Sequence, residues 1–285
     1  MKPDYQAEMV HSSESQLRQP LIFLILMFRD LFAARALAWH LMIRDLSAQY
    51  RQSVFGILWA FIPPIVMAVG FTFAGEAKII NVGDTGIPYP AYVMFSTALW
   101  QTFTEALNGP LQAVTQSKQL LARINFPREA ILLSKLGEVV FNFLVKLILI
   151  IGVFAWYKFP VTSGIVLAPV ALLMLILLGT FLGILICPIG MLYQDISRGL
   201  TLFTGLWLFL TPVVYPMPST GTFSTLVKLN PVTPLLVGTR ELATTGTVSD
   251  PFSLFIVAGI TLVGLFLTWI LFRLSMPHVI ERLSS

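Results

Sequence analysis

The chain has 285 residues, of which 56% are hydrophobic and only 11% charged, with a mean hydropathy of +0.82. That composition excludes an ordinary soluble domain and indicates an all-α, polytopic membrane protein. The net charge of +4 requires no nucleic acid, because basic loops facing anionic lipid account for it.

Residues 1–28 read as a disordered or surface N-terminal segment: 1–16 are polar with no apolar period, and the apolar run 21–28 is too short to cross a membrane and is followed by no small-residue cleavage site. The first true span then doubles as the insertion signal. Over 29–51 the period becomes helical. At 100° per residue Leu31, Ala38, Met42 and Leu46 share one side, whereas Arg29, Arg44 and Arg51 share the other. Such a helix lies on the membrane surface and runs through Arg44-Asp45 and Tyr50-Arg51 into the first span, either as a handle for a soluble partner or as a plain membrane-surface anchor.

Residues 52–285 form the membrane domain. A span needs ~20 mostly apolar residues, and six windows fit: 54–74, 89–110, 137–157, 166–187, 199–217 and 252–273. Pro212 and Pro216 interrupt the fifth, so a broken or re-entrant helix is expected there. Of the 18 Lys and Arg, Lys78, Lys158, Lys228 and Arg240 lie in the loops of one side and Lys146 lies inside a span; all the others lie in the N-terminal segment, the loops 111–136 and 188–198, and the C-terminal tail. The positive-inside rule therefore places both termini in the cytoplasm.

The longest cytoplasmic loop contains Asn125-Phe126-Pro127-Arg128-Glu129. Asn125 can cap a helix there, Pro127 is tolerated in its first turn and Glu129 suits the positive end of its dipole. A short cytoplasmic helix is predicted to start here with Phe126 exposed at its tip, either as a local staple or as a docking knob. Between spans four and five, 193–198 is predicted to be a tight cytoplasmic turn carrying Tyr193, Asp195 and Arg198. On the external side, 218–250 mixes leucines with Pro231, Pro234 and Gly238, which fits short half-buried helices dipping into the outer leaflet.

Two polar stripes interrupt the spans. Gln101, Glu105 and Asn108 share a face of the second, and Glu138, Asn142 and Lys146 recur every four residues on the third. Ionisable groups in hydrocarbon face a bundle interior, a partner or water, so Glu105 and Lys146 are candidates for an ion pair, whether as a structural clamp or as a pathway lining. Trp59, Trp100, Phe203 and Trp207 are the aromatic candidates for lining a passage in which sugar rings stack.

Catalytic and metal chemistry is thin. No G-x-x-x-x-G-K-[ST] loop, H-E-x-x-H or C-x-x-C occurs, and His11, His40 and His278 are far apart and outside the spans. The single cysteine, Cys187, reads as an apolar filler in the fourth span. If ATP drives this protein, another chain binds it.

The run from Arg44-Asp45 to Tyr50-Arg51, followed by Gly56-Ile57-Leu58-Trp59-Ala60 and Pro63-Pro64, resembles the opening of the ABC-2 type permeases that export polysaccharides and polyol-phosphate polymers. The likeness continues, in order, through Asn125 to Glu129, Tyr193-Gln194-Asp195-Ile196, the segment from Thr211-Pro212 to Tyr215-Pro216, Leu229-Asn230-Pro231, and Pro277 to Arg282. The motifs before the last cover about residues 40 to 240, Pro277 to Arg282 adds a likeness to the O-antigen and teichoic-acid exporters in particular, and the chain departs in having Gln194 where many members carry Arg before the Asp. The resemblance implies a homodimer of six-span permeases enclosing one pore, with two copies of a cytoplasmic ABC ATPase that hold ATP and Mg and no cofactor on this chain. In that scheme 29–51, with Arg44, Asp45, Tyr50 and Arg51, is the interface helix, and 125–135 is the coupling helix. Residues 218–245, with Tyr215 and Pro216 before them and Leu226 and Leu229 within, are external gate helices. The implied substrate is a lipid-linked polysaccharide of O-antigen, capsule or teichoic-acid type, moved across the bacterial cytoplasmic membrane. The alternatives are an ABC-2 exporter of drugs or small lipids, a secondary transporter, and a membrane-embedded glycan enzyme.

Overall fold

The computed structural model describes residues 20–51, 53–79, 83–118 and 126–284, and all regular structure among them is helical. Nine α-helices follow in order: α1 Pro20–Arg51, α2 Ile62–Glu76, α3 Tyr89–Gln116, α4 Glu129–Trp156, α5 Ala168–Leu192, α6 Gln194–Leu210, α7 Thr222–Leu229, α8 Val232–Thr244 and α9 Pro251–Ser284. Short 3-10 turns at Gly56–Ala60 and Ser163–Val166 lead into α2 and α5. Prolines punctuate the starts: Pro63 and Pro64 open α2 and Pro90 opens α3, where a missing N–H leaves no intrahelical bond unmade.

Among the described residues four segments are long and apolar enough to cross a membrane: Gly56–Glu76, α4, α5 and Pro251–Arg282. The other two predicted spans correspond to α3 and α6. α3 has ample length at 28 residues but carries Gln101, Glu105 and Asn108, which it can afford because it is the central helix and buries Leu99, Phe103, Leu107 and Leu111. α6 has only 17 residues and ends before Pro212. The fifth window thus shifts from 199–217 to 194–210, and 193–198 is not a loop. Tyr193 alone, in an extended conformation at φ −126° and ψ 112°, joins α5 to α6, while Asp195 already sits in the first turn of α6, where its charge suits the helix dipole.

α5 lies directly against the backbone of α3. A methyl group at Gly183 would stand 2.4 Å from the Leu107 carbonyl oxygen, and one at Gly179 would stand 2.7 Å from that of Phe103. Small residues four apart allow membrane helices to approach this closely. Gly183→Val is therefore expected to push α5 off α3 and lower the midpoint of thermal unfolding in detergent, whereas Gly152→Val, with nothing within 4 Å, leaves the midpoint unchanged.

α1 begins nine residues before the predicted Arg29, because the apolar run 21–28 continues the same buried stripe: Phe23, Met27, Ala34, Ala38 and Leu41 face inward. Ala38 and Leu46 are buried as the sequence pattern requires, and Arg29, Arg44 and Arg51 are exposed. The helix crosses the end of the bundle. Near its start Phe28 meets Trp269 of α9 edge to face at 5.4 Å, and further on Met42 covers Gly137 of α4.

No separate helix occupies 125–135 among the described residues. α4 runs unbroken from Glu129 to Trp156, since no proline lies between those ends and Gly137 is held by Met42 packed against it. Asn125, the expected cap, lies outside the described residues. Arg128 stands at the cap position without a side-chain bond.

Candidate functional site

Three groups of polar contacts mark the two ends of the bundle and the region between them. At the basic end, Arg273 of α9 reaches two carboxylates on different elements. It pairs with Asp30 of α1 and, at 3.1 Å, with Glu129 of α4. One guanidinium with a fork of donors can serve two acids in this way. Glu129, predicted only as a helix-start acid, is buried and is an anchor. Beside it, burial draws the Arg128 guanidinium below its ordinary pKa, with Glu129 opposing and Arg273 adding to the shift. Phe126 is half-buried and packs against the core, so it is not the fully exposed tip that the sequence predicts. Arg44 bonds the adjacent Asp45 at 2.9 Å with both exposed, a geometry worth little. Arg51, Tyr193, Asp195 and Arg198 are exposed at the same end.

Nearer the middle, the spacing argument for Glu105 and Lys146 holds. The Lys146 ammonium donates to Glu105 Oε1 at 2.5 Å, and the Lys146 side chain is only 3% exposed, against 33% for Glu105. Asn142 joins them through a 3.4 Å bond from Nδ2 to Glu105 Oε2, and the Tyr50 hydroxyl donates to Asn142 Oδ1 at 3.0 Å. Tyr50, at the end of α1, has its pKa raised by burial and then by the negative charges of Glu105 and Glu138. The end of α1 is thereby linked to the charged pair through Asn142. Lys146 turns inward to Glu105 rather than snorkelling to the membrane surface.

At the opposite end, the helix broken at Pro212 has its free carbonyls taken up by side chains. Tyr92 donates to the carbonyls of Pro212 (3.2 Å) and Tyr215 (2.7 Å), and Tyr89 donates to that of Val214 (2.8 Å). Asn230 donates to the Leu210 carbonyl and to Thr211 Oγ1 while accepting from Trp207 Nε1 at 3.1 Å and from the Val232 N–H at 3.0 Å. Arg240 Nη1 donates to Ser96 Oγ at 2.8 Å and to the Pro212 carbonyl at 3.1 Å, and its guanidinium carbon lies 4.0 Å from the centroid of the Tyr92 ring. The sequence pattern placed Arg240 in a loop; it is a buried residue of α8. Beyond this junction, α7 carries Leu226 and Leu229 on an exposed face, and Tyr215 packs against Phe223 at 5.6 Å.

The aromatic candidates divide. Trp207 meets Trp100 at 6.3 Å and Phe203 at 5.1 Å, one connected group. Trp100 is buried inside the core and Phe203 is exposed. Trp59 is separate: it lies exposed in the turn before α2, and its ring meets that of Phe55 at 5.8 Å.

Sequence comparison gives the geometry a family. The pattern of the ABC-2 type transporter family matches residues 36–243. The chain is similar to the O-antigen export system permease protein RfbA of Myxococcus xanthus, with 26% identity over 249 residues that cover 84% of this chain and 92% of that protein. It is also similar to an O-antigen export system permease protein RfbA of Klebsiella pneumoniae, with 25% identity covering 78% of this chain and 86% of that protein.

Proposed function

This chain belongs to the ABC-2 type transporter family, and we propose that within it the chain is the membrane subunit of an ATP-driven exporter of lipid-linked polysaccharide. Two copies enclose the pore in the bacterial cytoplasmic membrane with both termini inside, and two copies of a separate ABC ATPase dock beneath them. ATP and Mg belong to that ATPase, since this sequence has no phosphate-cradling loop.

The observation that carries the reading is α1. It is a 32-residue helix whose exposed side carries Arg29, Arg35, Arg44 and Arg51, while Asp30 ties it to α9 and Tyr50 ties it to α4. A motor pressing on this helix moves spans that lie at both ends of it. The polymer class is supported by the relatives named O-antigen export permeases, and the basic end is the cytoplasmic one by the distribution of Lys and Arg.

In this reading α7 and α8 form the external gate, with the broken segment at Pro212 as its hinge. A cysteine placed at Leu229, which is 74% exposed, in a Cys187→Ala background is expected to cross-link to its counterpart in the second copy. The cross-link should stop polymer reaching the cell surface while the ATPase still copurifies. Efficient cross-linking with export at the wild-type rate would remove the gate role from this segment.

A further inference from the structure

We propose that a polar cavity between α1, α3 and α4 binds the sugar residues of the exported polymer before they enter the pore; this rests on the export reading above. The cavity has a volume of about 350 Å³ and is walled by Gln49 of α1, by Glu105, Asn108 and Gln112 of α3, and by Glu138 and Asn142 of α4. Gln112 and Lys135 in its lining lie toward the basic end of α3 and α4, the side from which a cytoplasmic polymer is loaded.

Its chemistry is that of a neutral polyhydroxyl ligand. Carboxylates accept hydrogen bonds from hydroxyls, and primary amides both donate and accept. Glu105 is matched by Lys146 and Glu138 by Lys135 at 2.8 Å, so the lining carries no surplus charge that would select a phosphate or a metal cation. Several groups are left over. Glu138 uses one oxygen for Lys135, Asn108 uses only Nδ2, toward the Thr104 carbonyl, and the Gln49 and Gln112 amides bond no described residue. Ionisable and amide groups gathered inside a membrane helix pair mark a pathway or a binding place, and a cavity of this volume falls at the small end of ligand sites. It has room for a short stretch of sugars and lacks the apolar walls a lipid tail requires. The Tyr50–Asn142–Glu105 bonds along its edge also make the site responsive to α1.

The test uses cells that make the polymer and express the full chain with its ATPase. A benzophenone amino acid at Gln112 is expected to photo-cross-link to the host's own polymer, detected with a polymer-specific lectin or antibody. Filling the cavity from either wall, with Gln112→Trp or Gln49→Trp, is expected to lower surface polymer about tenfold, the equivalent of one lost charge-assisted hydrogen bond, at wild-type abundance of the assembled complex. Both filled variants exporting at the wild-type rate, or a benzophenone that captures only phospholipid, overturns the proposal. Deleting the chain separates the two levels. If deletion abolishes surface polymer while filling has no effect, the cavity is a water pocket and the export reading stands; if deletion changes nothing, the export reading itself fails.

Discussion

Tyr92→Leu is expected to be the most damaging single substitution in the membrane domain, costing ~3–5 kcal/mol of stability and abolishing export. The ring stacks on Arg240, and its hydroxyl serves the carbonyls of both Pro212 and Tyr215. Removing it leaves a guanidinium that is only 6% exposed without its ring, and leaves the Tyr215 carbonyl without that donor. Tyr92→Phe keeps the ring and loses the two bonds, so its cost should fall to ~1–3 kcal/mol. Arg240→Met should also be milder than Tyr92→Leu, because deleting the charge removes its desolvation penalty together with its bonds. The double change Tyr92→Leu with Arg240→Met should recover part of the loss. Unfolding of detergent-purified protein gives the ordering, and hydrogen exchange over 211–216 reads the hinge itself. If Tyr92→Leu and Arg240→Met add independently, the two residues are not one unit.

Glu105→Gln is expected to cost ~3 kcal/mol, more than Lys146→Met, and the asymmetry follows from burial. Lys146 is almost wholly enclosed whereas Glu105 borders the polar cavity. Losing the carboxylate strands an ammonium in low dielectric, but losing the ammonium leaves a carboxylate that water and Asn142 can still serve. The pair Glu105→Gln with Lys146→Met should be milder than Glu105→Gln alone, with a coupling energy between ~0.5 and ~3 kcal/mol. Expression level, unfolding and surface polymer give three independent readings of the cycle. Equal single effects and a strictly additive double would mean that the contact contributes nothing.

The features legible in the sequence are those that local periodicity controls. Glu138, Asn142 and Lys146 repeat at helical spacing, so they had to share a face, and an acid on the neighbouring polar stripe was the natural partner for Lys146. The inward stripe of α1 was visible for the same reason. Its start is not legible in the same way, because eight apolar residues are too few to span, although they continue the stripe through Phe23 and Met27. The spacing of Gly179 and Gly183 carries the close approach of α5 to α3 openly in the sequence.

Contacts between distant parts of the chain were not legible. Arg240 meets Ser96 across 144 positions, and Arg273 meets Asp30 across 243. No spacing rule links such residues, and a lone arginine between predicted spans reads as a loop charge. Asn230 is an intermediate case. An Asn-Pro pair before a helical run signals a turn, but that the same amide also holds Trp207 and the end of α6 emerges only in three dimensions. The motif from Asn125 to Glu129 shows the opposite failure: Glu129 does sit in the first turn of a helix, but Pro127 lies before the cap position Arg128 and not in that turn, and nothing local indicates that the helix continues through the whole span.

The most direct test of the account is where the polymer accumulates when this chain is missing. In cells that synthesise the polysaccharide, deleting the chain and separating surface-exposed polymer from polymer held behind the cytoplasmic membrane, by protease-free lectin labelling of intact and opened cells, should show undiminished lipid-linked polymer trapped inside and none outside. Wild-type protein should restore it to the surface, and only in the presence of a hydrolysing ATPase partner. Polymer appearing at the surface in normal amount without the chain, or a cell in which the polymer is no longer made at all, would contradict a transport role.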